Sequence, residues 1–201
     1  ATPSICYNIT YDHCVAYHIG HDGWDQDGKD FTLKSCKSYD HGWLGQPIHG
    51  IKFWNKNVKI YNMLIYDIPT PGVAVEIAGG QNVWLWNSVL YNCDNGVRNK
   101  GTVHIRNTIF AKGVNAYQIS ADYDPPTTSD YNNYFEVTNA PTSEPHSLNV
   151  DPQFVDVKTK NFKLARTTPL LDAGLDADSA LNKAPAADFD GNPRSGKVEI
   201  G

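Results

Sequence analysis

Short alternations of apolar and polar residues, rather than helical periods, organise the first two thirds of this chain. Five segments carry the pattern: SICYNITYD, FTLKSCKSY, VKIYNMLIY, VWLWNSVLY and VHIRNTIFA. In each, apolar or small residues recur at every second place and a small polar residue follows. This aligns Asn8, Ser35, Asn62, Asn87 and Asn107 at intervals of 27, 27, 25 and 20 residues. SDYNNYF adds a weaker copy with Asn133 in the same column. A second column begins with glycine: Gly23, Gly50, Gly72 and Gly96 open GWDQDG, GIKFWN, GVAVEIAG and GVRNKG, and NAYQIS matches without the glycine. A period of two, β-branched and aromatic residues, and turn formers in between predict short strands. No stretch is amphipathic over the length of a helix.

Repeats of this length, with several strands in each, predict an all-β fold of the parallel β-helix type, every coil stacking its strands on the coil before. Leucine-rich repeats are disfavoured, because the LxxLxL pattern and its helical half are missing. The asparagine column has a structural reading, since Asn tolerates left-handed backbone geometry and stacked amides can bond to one another. The NIT sequon at Asn8 falls inside that column. Cys6 aligns with the inward residues Leu33, Ile60, Leu85 and Ile105 and is expected in the core. Beyond about Ala121 the chain turns rich in Pro, Asp and Gly with scattered apolar anchors. The expectation is about five to six coils over residues 1–122, with residues 123–201 forming a last coil and an irregular tail packed on the same domain.

Composition narrows the partners. The chain has 201 residues, 40% of them hydrophobic, enough for one domain with a substantial core. Seventeen basic against 22 acidic residues, net charge -5, and no basic run argue against nucleic acid. No apolar run approaches the roughly 20 residues of a membrane span. The opening ATPS would suit the product of a signal peptidase. Cys6, Cys14, Cys36 and Cys93 show no zinc-site spacing and could be two disulfides or buried thiols.

Aligned on the glycine column, Trp24, Ile51, Val73 and Val97 face inward. One outer column then holds Asp25, Lys52, Ala74, Arg98 and Gln118, and the next holds Asp27, Trp54, Glu76, Lys100 and Ser120. Asp22, His49 and Asn95 stand at the strand entrance. Asp22 and Asp25 are hard oxygen donors suited to calcium. Lys52, one coil away, is a candidate base, and Arg98 a candidate stabiliser of developing negative charge. His49, Trp54 and Glu76 are the expected substrate contacts. The histidines His13, His18, His21, His41 and His49 cluster in the first two coils and read as polar surface rather than transition-metal ligands. Outward Lys59, Trp84 and His104, beside Tyr61, Trp86 and Arg106, offer either a sugar-stacking face or a docking surface for the tail.

Two resemblances sharpen this. The order DPQFVD, NFKLARTTPLLDAG, DFDGNPR and VEIG resembles the ending of many secreted right-handed β-helix repeat proteins of the pectate-lyase-like superfamily, which implies a right-handed coil and a secreted or cell-surface location. HDGWDQDG followed by HGIKFWN is similar to the DDGWD and NGFKL pair of family nine polysaccharide lyases. By that likeness Asp22 and Asp25 would bind calcium and Lys52 would be the base. His21 stands where that family has an aspartate, and residues 1–20 show no coil with a further acidic ligand.

The expected function is an extracellular polysaccharide-active protein, a calcium-assisted lyase cleaving a uronate-containing polysaccharide by β-elimination. The alternative is a non-catalytic β-helix domain for carbohydrate binding, adhesion or assembly, with self-association through the first coil. A glycoside hydrolase using Asp25 or Asp27 with Glu76 is a third reading.

Overall fold

A computed structural model of the chain describes residues 6–42, 48–54, 56–176 and 184–201; Ser4, Ile5 and Asn55 of the repeat segments lie outside them. The described residues are all-β, without a helix, and form a parallel β-solenoid of about five turns. No helix is long and apolar enough to cross a membrane.

Each coil has three faces. On the first, Thr32–Lys34, Lys56–Tyr61, Gln81–Trp86 and Val103–Arg106 pair in parallel. The second stacks Val15–Tyr17, Lys37–Tyr39 and the opening halves of three long strands, Leu64–Ile77, Val89–Asn99 and Ile109–Gln118. Those strands bend and continue on the third face, beside Trp24–Gln26 and His49–Phe53. Inward residues such as Leu33, Ile51, Phe53, Ile60, Ile65, Leu85 and Ile105 are fully buried, as alternation requires.

The corners between faces are columns of residues with positive φ, which Asn and Asp adopt more readily than other side chains. Asn8, Asp30, Asn57 and Asn82 form one column; His13, Ser35, Asn62, Asn87, Asn107 and Tyr131 the second; His18, Asp40, Asp67, Asn92, Lys112 and Glu136 the third. Asn8 therefore does not share the column of Ser35, and Asn133 lies two residues past it. The reason is geometric: Asn8, His13 and His18 follow one another at five-residue steps, so a slip of one corner reproduces the pattern. With the corrected register Cys6 pairs with Gly28 and is exposed, not in the core. Cys36 and Cys93 are buried, and all four cysteines are free thiols.

The tail lies on the second face. Phe162, Leu170 and Ile200 pack against the outward side chains of Leu64, Tyr66, Tyr91, Ile109 and Ala111. The asparagine column is the seam: the amide of Asn62 donates to Ala187 O (2.9 Å), that of Asn87 to Glu199 O (3.3 Å) and that of Asn107 to Leu175 O (2.9 Å). Within that column Asn107 also donates to Asn87 Oδ1 at 3.4 Å. The stacked-amide reading is thus true in part. These side chains chiefly satisfy the polar backbone of a segment with little regular pairing of its own.

Candidate functional site on the third face

The charged residues singled out from the sequence meet on the third face, in a register that the sequence alignment missed by two residues. Trp24, Ile51, Val75 and Val97 pair in succession, so Asp25, Lys52, Glu76, Arg98 and Gln118 occupy one outward column. Glu76, not Ala74, stands between Lys52 and Arg98; Ala74 is buried. The pairing between Leu64–Ile77 and Val89–Asn99 shifts between Ile68 and Val73, where Pro69, Thr70 and Pro71 bulge out. That excursion carries Gly72 away from the column of Gly23, Gly50 and Gly96. A Cβ on any of those three would come within 2.5 to 2.7 Å of a carbonyl oxygen of the next coil, at Gly50, Ala74 and Ala116 respectively. Close coil stacking, not turn geometry, keeps that column small.

Beneath the column runs a buried chain of ionisable groups. Asp22 Oδ1 accepts from the His49 backbone N–H at 3.0 Å and from Nδ1 at 2.7 Å. His49 Nε2 lies 2.8 Å from Glu76 Oε2, an ion-pair contact rather than an aligned hydrogen bond. Arg98 donates to the same Glu76 oxygen from Nη1 at 2.9 Å and to Gln118 Oε1 from Nε at 2.8 Å. The side chains of Asp22, His49 and Glu76 are 2%, 6% and 9% exposed, so each is paired where solvent cannot screen it. Burial alone would lower the His49 pKa, but the contacts with Asp22 and Glu76 outweigh it and raise it above the ordinary 6.5. Burial pushes Asp22 and Glu76 up, and their His49 contacts, with His21 and Lys52 near Asp22 and Arg98 on Glu76, bring both below their ordinary range.

Lys52 stands above this chain, its Nζ 3.8 Å from Asp22 Oδ2 and 3.9 Å from Asp25 Oδ2. Its ammonium lies 5.1 Å from the centroid of Trp54, which is 52% exposed. Two coils on, Arg98 and Lys100 lie 4.9 and 4.8 Å from the Tyr123 ring. Tyr123 is held by reciprocal backbone hydrogen bonds with Ser120 in a tight turn. Trp54, Ala78 and Lys100 continue the neighbouring outward column, so Ala78 stands where Glu76 was expected.

The face thus brings together Asp22, Asp25, His49, Lys52, Trp54, Glu76 and Arg98, every candidate site residue. Tyr123 was missed, because it falls between two repeat segments and arrives through a local turn. His41 and His49 depart from the polar-surface expectation for the histidines: both are buried, and His41, its Nε2 2.9 Å from Ser38 Oγ, has its pKa lowered by burial.

No known protein family matches the chain, and no curated protein matches it.

The chemistry must therefore be argued from these residues. A calcium ion takes about six to eight oxygen ligands. Asp22 Oδ2 and Asp25 Oδ2 both face the position that the Lys52 ammonium holds, and Asp22 Oδ1 is engaged by His49. Among the described residues no three His, Cys, Asp or Glu side chains are grouped to hold a metal ion. With Lys52 in place, this donor set does not fit calcium. On the first face, Lys59, Trp84 and His104 share one outward column and Tyr61, Trp86 and Arg106 the next. Trp86 is buried, which removes it from any open sugar platform.

Proposed function

We propose that the chain acts on a uronate-containing polysaccharide laid along the third face, cleaving it by β-elimination with Lys52 as the base. The observation that carries this reading is the convergence of Lys52 with Asp22 and Asp25 beside an exposed tryptophan, on a ledge whose second cation, Arg98, is anchored from beneath. Aromatic faces next to cations suit a sugar ring bearing a carboxylate. In the reaction, Lys52 first gives its ammonium proton to bulk water and then, as the neutral amine, takes the proton from the carbon next to the uronate carboxylate. The electron pair left behind forms the ring double bond, the glycosidic carbon–oxygen bond at the adjacent carbon breaks, and the departing oxygen takes a proton from water. Arg98 neutralises charge that builds on the carboxylate. The likeness to family nine polysaccharide lyases supports Lys52 as the base, and the likeness of the tail to secreted β-helix proteins supports action outside the cell.

A second reading, binding without cleavage, is favoured by the ion pairs of Lys52: an ammonium that keeps both carboxylates has no lone pair to accept a proton. One assay separates the two. Uronate polymers are incubated with the protein, with and without added calcium, while absorbance of the new double bond is followed and binding is measured in parallel. Release of unsaturated product that falls by about a hundredfold or more in Lys52→Ala supports the lyase. Binding without product leaves the module, and neither overturns both.

A further inference from the structure

Going one step further on the uronate reading, we infer that the substrate is an alternating polymer, with one uronate in each disaccharide and an uncharged sugar between successive uronates. The outward column reads Asp25, Lys52, Glu76, Arg98, Gln118. Its charge changes sign over four successive coils, negative, positive, negative, positive, and the fifth position is neutral. The neighbouring column repeats the alternation in another form, with Trp54 and Lys100 on the coils of Lys52 and Arg98 and the small Ala78 on the coil of Glu76.

Two cationic stations follow, Lys52 with Trp54 and Arg98 with Lys100 and Tyr123. They are two coils apart, ~9.6 Å at the usual strand spacing. That is about the length of a disaccharide, whereas one coil is about the length of a single sugar. A polymer with a carboxylate on every sugar, lying along the ledge, would place one carboxylate on each station and a third against Glu76. Glu76 is ionised by its partners His49 and Arg98 and fixed by them, so it cannot turn away. His49 and Arg98 already take up the Glu76 charge, so a third carboxylate at that place meets an acceptor side chain and no cation of its own, which disfavours it. An uncharged sugar at that place presents hydroxyl donors instead, and Ala78 leaves room for it.

The test compares hexasaccharides of equal length by calorimetric titration: one of unsulfated glucuronate alternating with an N-acetylhexosamine, one of galacturonate throughout, and one neutral. The inference expects the alternating chain to bind at least about tenfold more tightly than the homouronate. Equal or tighter binding of the homouronate overturns it and leaves the uronate reading intact. If neither binds better than the neutral chain, the uronate reading itself has failed. A second variant keeps the test independent of the buried network: Ala78→Lys adds a cation at the middle station without touching Glu76. With its fold verified by circular dichroism, it should raise homouronate affinity by about tenfold. No rise in that affinity overturns the inference.

Discussion

His49 Nδ1 lies 2.7 Å from Asp22 Oδ1, across one coil boundary and 27 residues of chain, with both side chains almost wholly buried. The pair ties the first described strand of the third face to the second. Through Glu76, it also reaches Arg98 two coils further along. The two cations of the ledge are in this way held by one buried chain of charges.

Stability should follow the charge of that chain. His49, with its pKa raised, contributes stability that is complete below its ordinary 6.5 and lost as pH rises through the raised value. Asp22 and Glu76, lowered from 3.8 and 4.5, contribute stability that is present above those values and lost as pH falls through the lowered ones. Their combined contribution is greatest between about pH 4.5 and 6.5. His49→Ala leaves two buried carboxylates without a central partner and should cost about 3–5 kcal/mol in that window. Denaturant melts of both proteins from pH 4 to 9 check this. A variant that keeps the wild-type fall in stability above pH 6.5 would show that another group is responsible.

The tail should be detachable at its seam. Asn107 both donates to Leu175 O and accepts from Leu175 N, at 2.9 and 2.8 Å. Asn107→Ala removes both bonds and should cost about 1–3 kcal/mol. Hydrogen exchange should accelerate in residues 170–176 and 198–201 while Ile60, Leu85 and Ile105 stay protected. Uniform acceleration along the chain would mean that the column supports the coils more than the tail.

Thiol chemistry should distinguish the four cysteines. Burial pushes Cys36 up to about 11 and Cys93 up to about 12, which leaves little thiolate at neutral pH. Cys6 is exposed. Titration of the native protein with a thiol reagent should modify Cys6 quickly and leave Cys36 and Cys93 untouched until denaturant is added. Rapid native modification of Cys93 would contradict the packing of the core just past the corner at Asn92.

The period-two alternation determined that this chain builds stacked parallel strands and which residues of the first face point outward. Side-chain alternation is a local consequence of the pleat, so runs such as VWLWN and VHIRN disclose it directly. The opening glycines also led to Asp22, Asp25, Lys52 and Arg98, because carboxylates and cations one coil apart must lie close when strands stack. Register across an insertion is not local. Pro69, Thr70 and Pro71 bulge between two paired stretches, and only the stacked strands revealed that Glu76 belongs with Lys52 and Arg98. The five-residue step between corners hid the true column of Asn8 in the same way. What the tertiary structure decided is burial. Asp22, His49 and Glu76 became an almost wholly buried chain of charges, Glu76 still in the outward column, because the coils close over them, and alternation in the sequence carries no record of that depth.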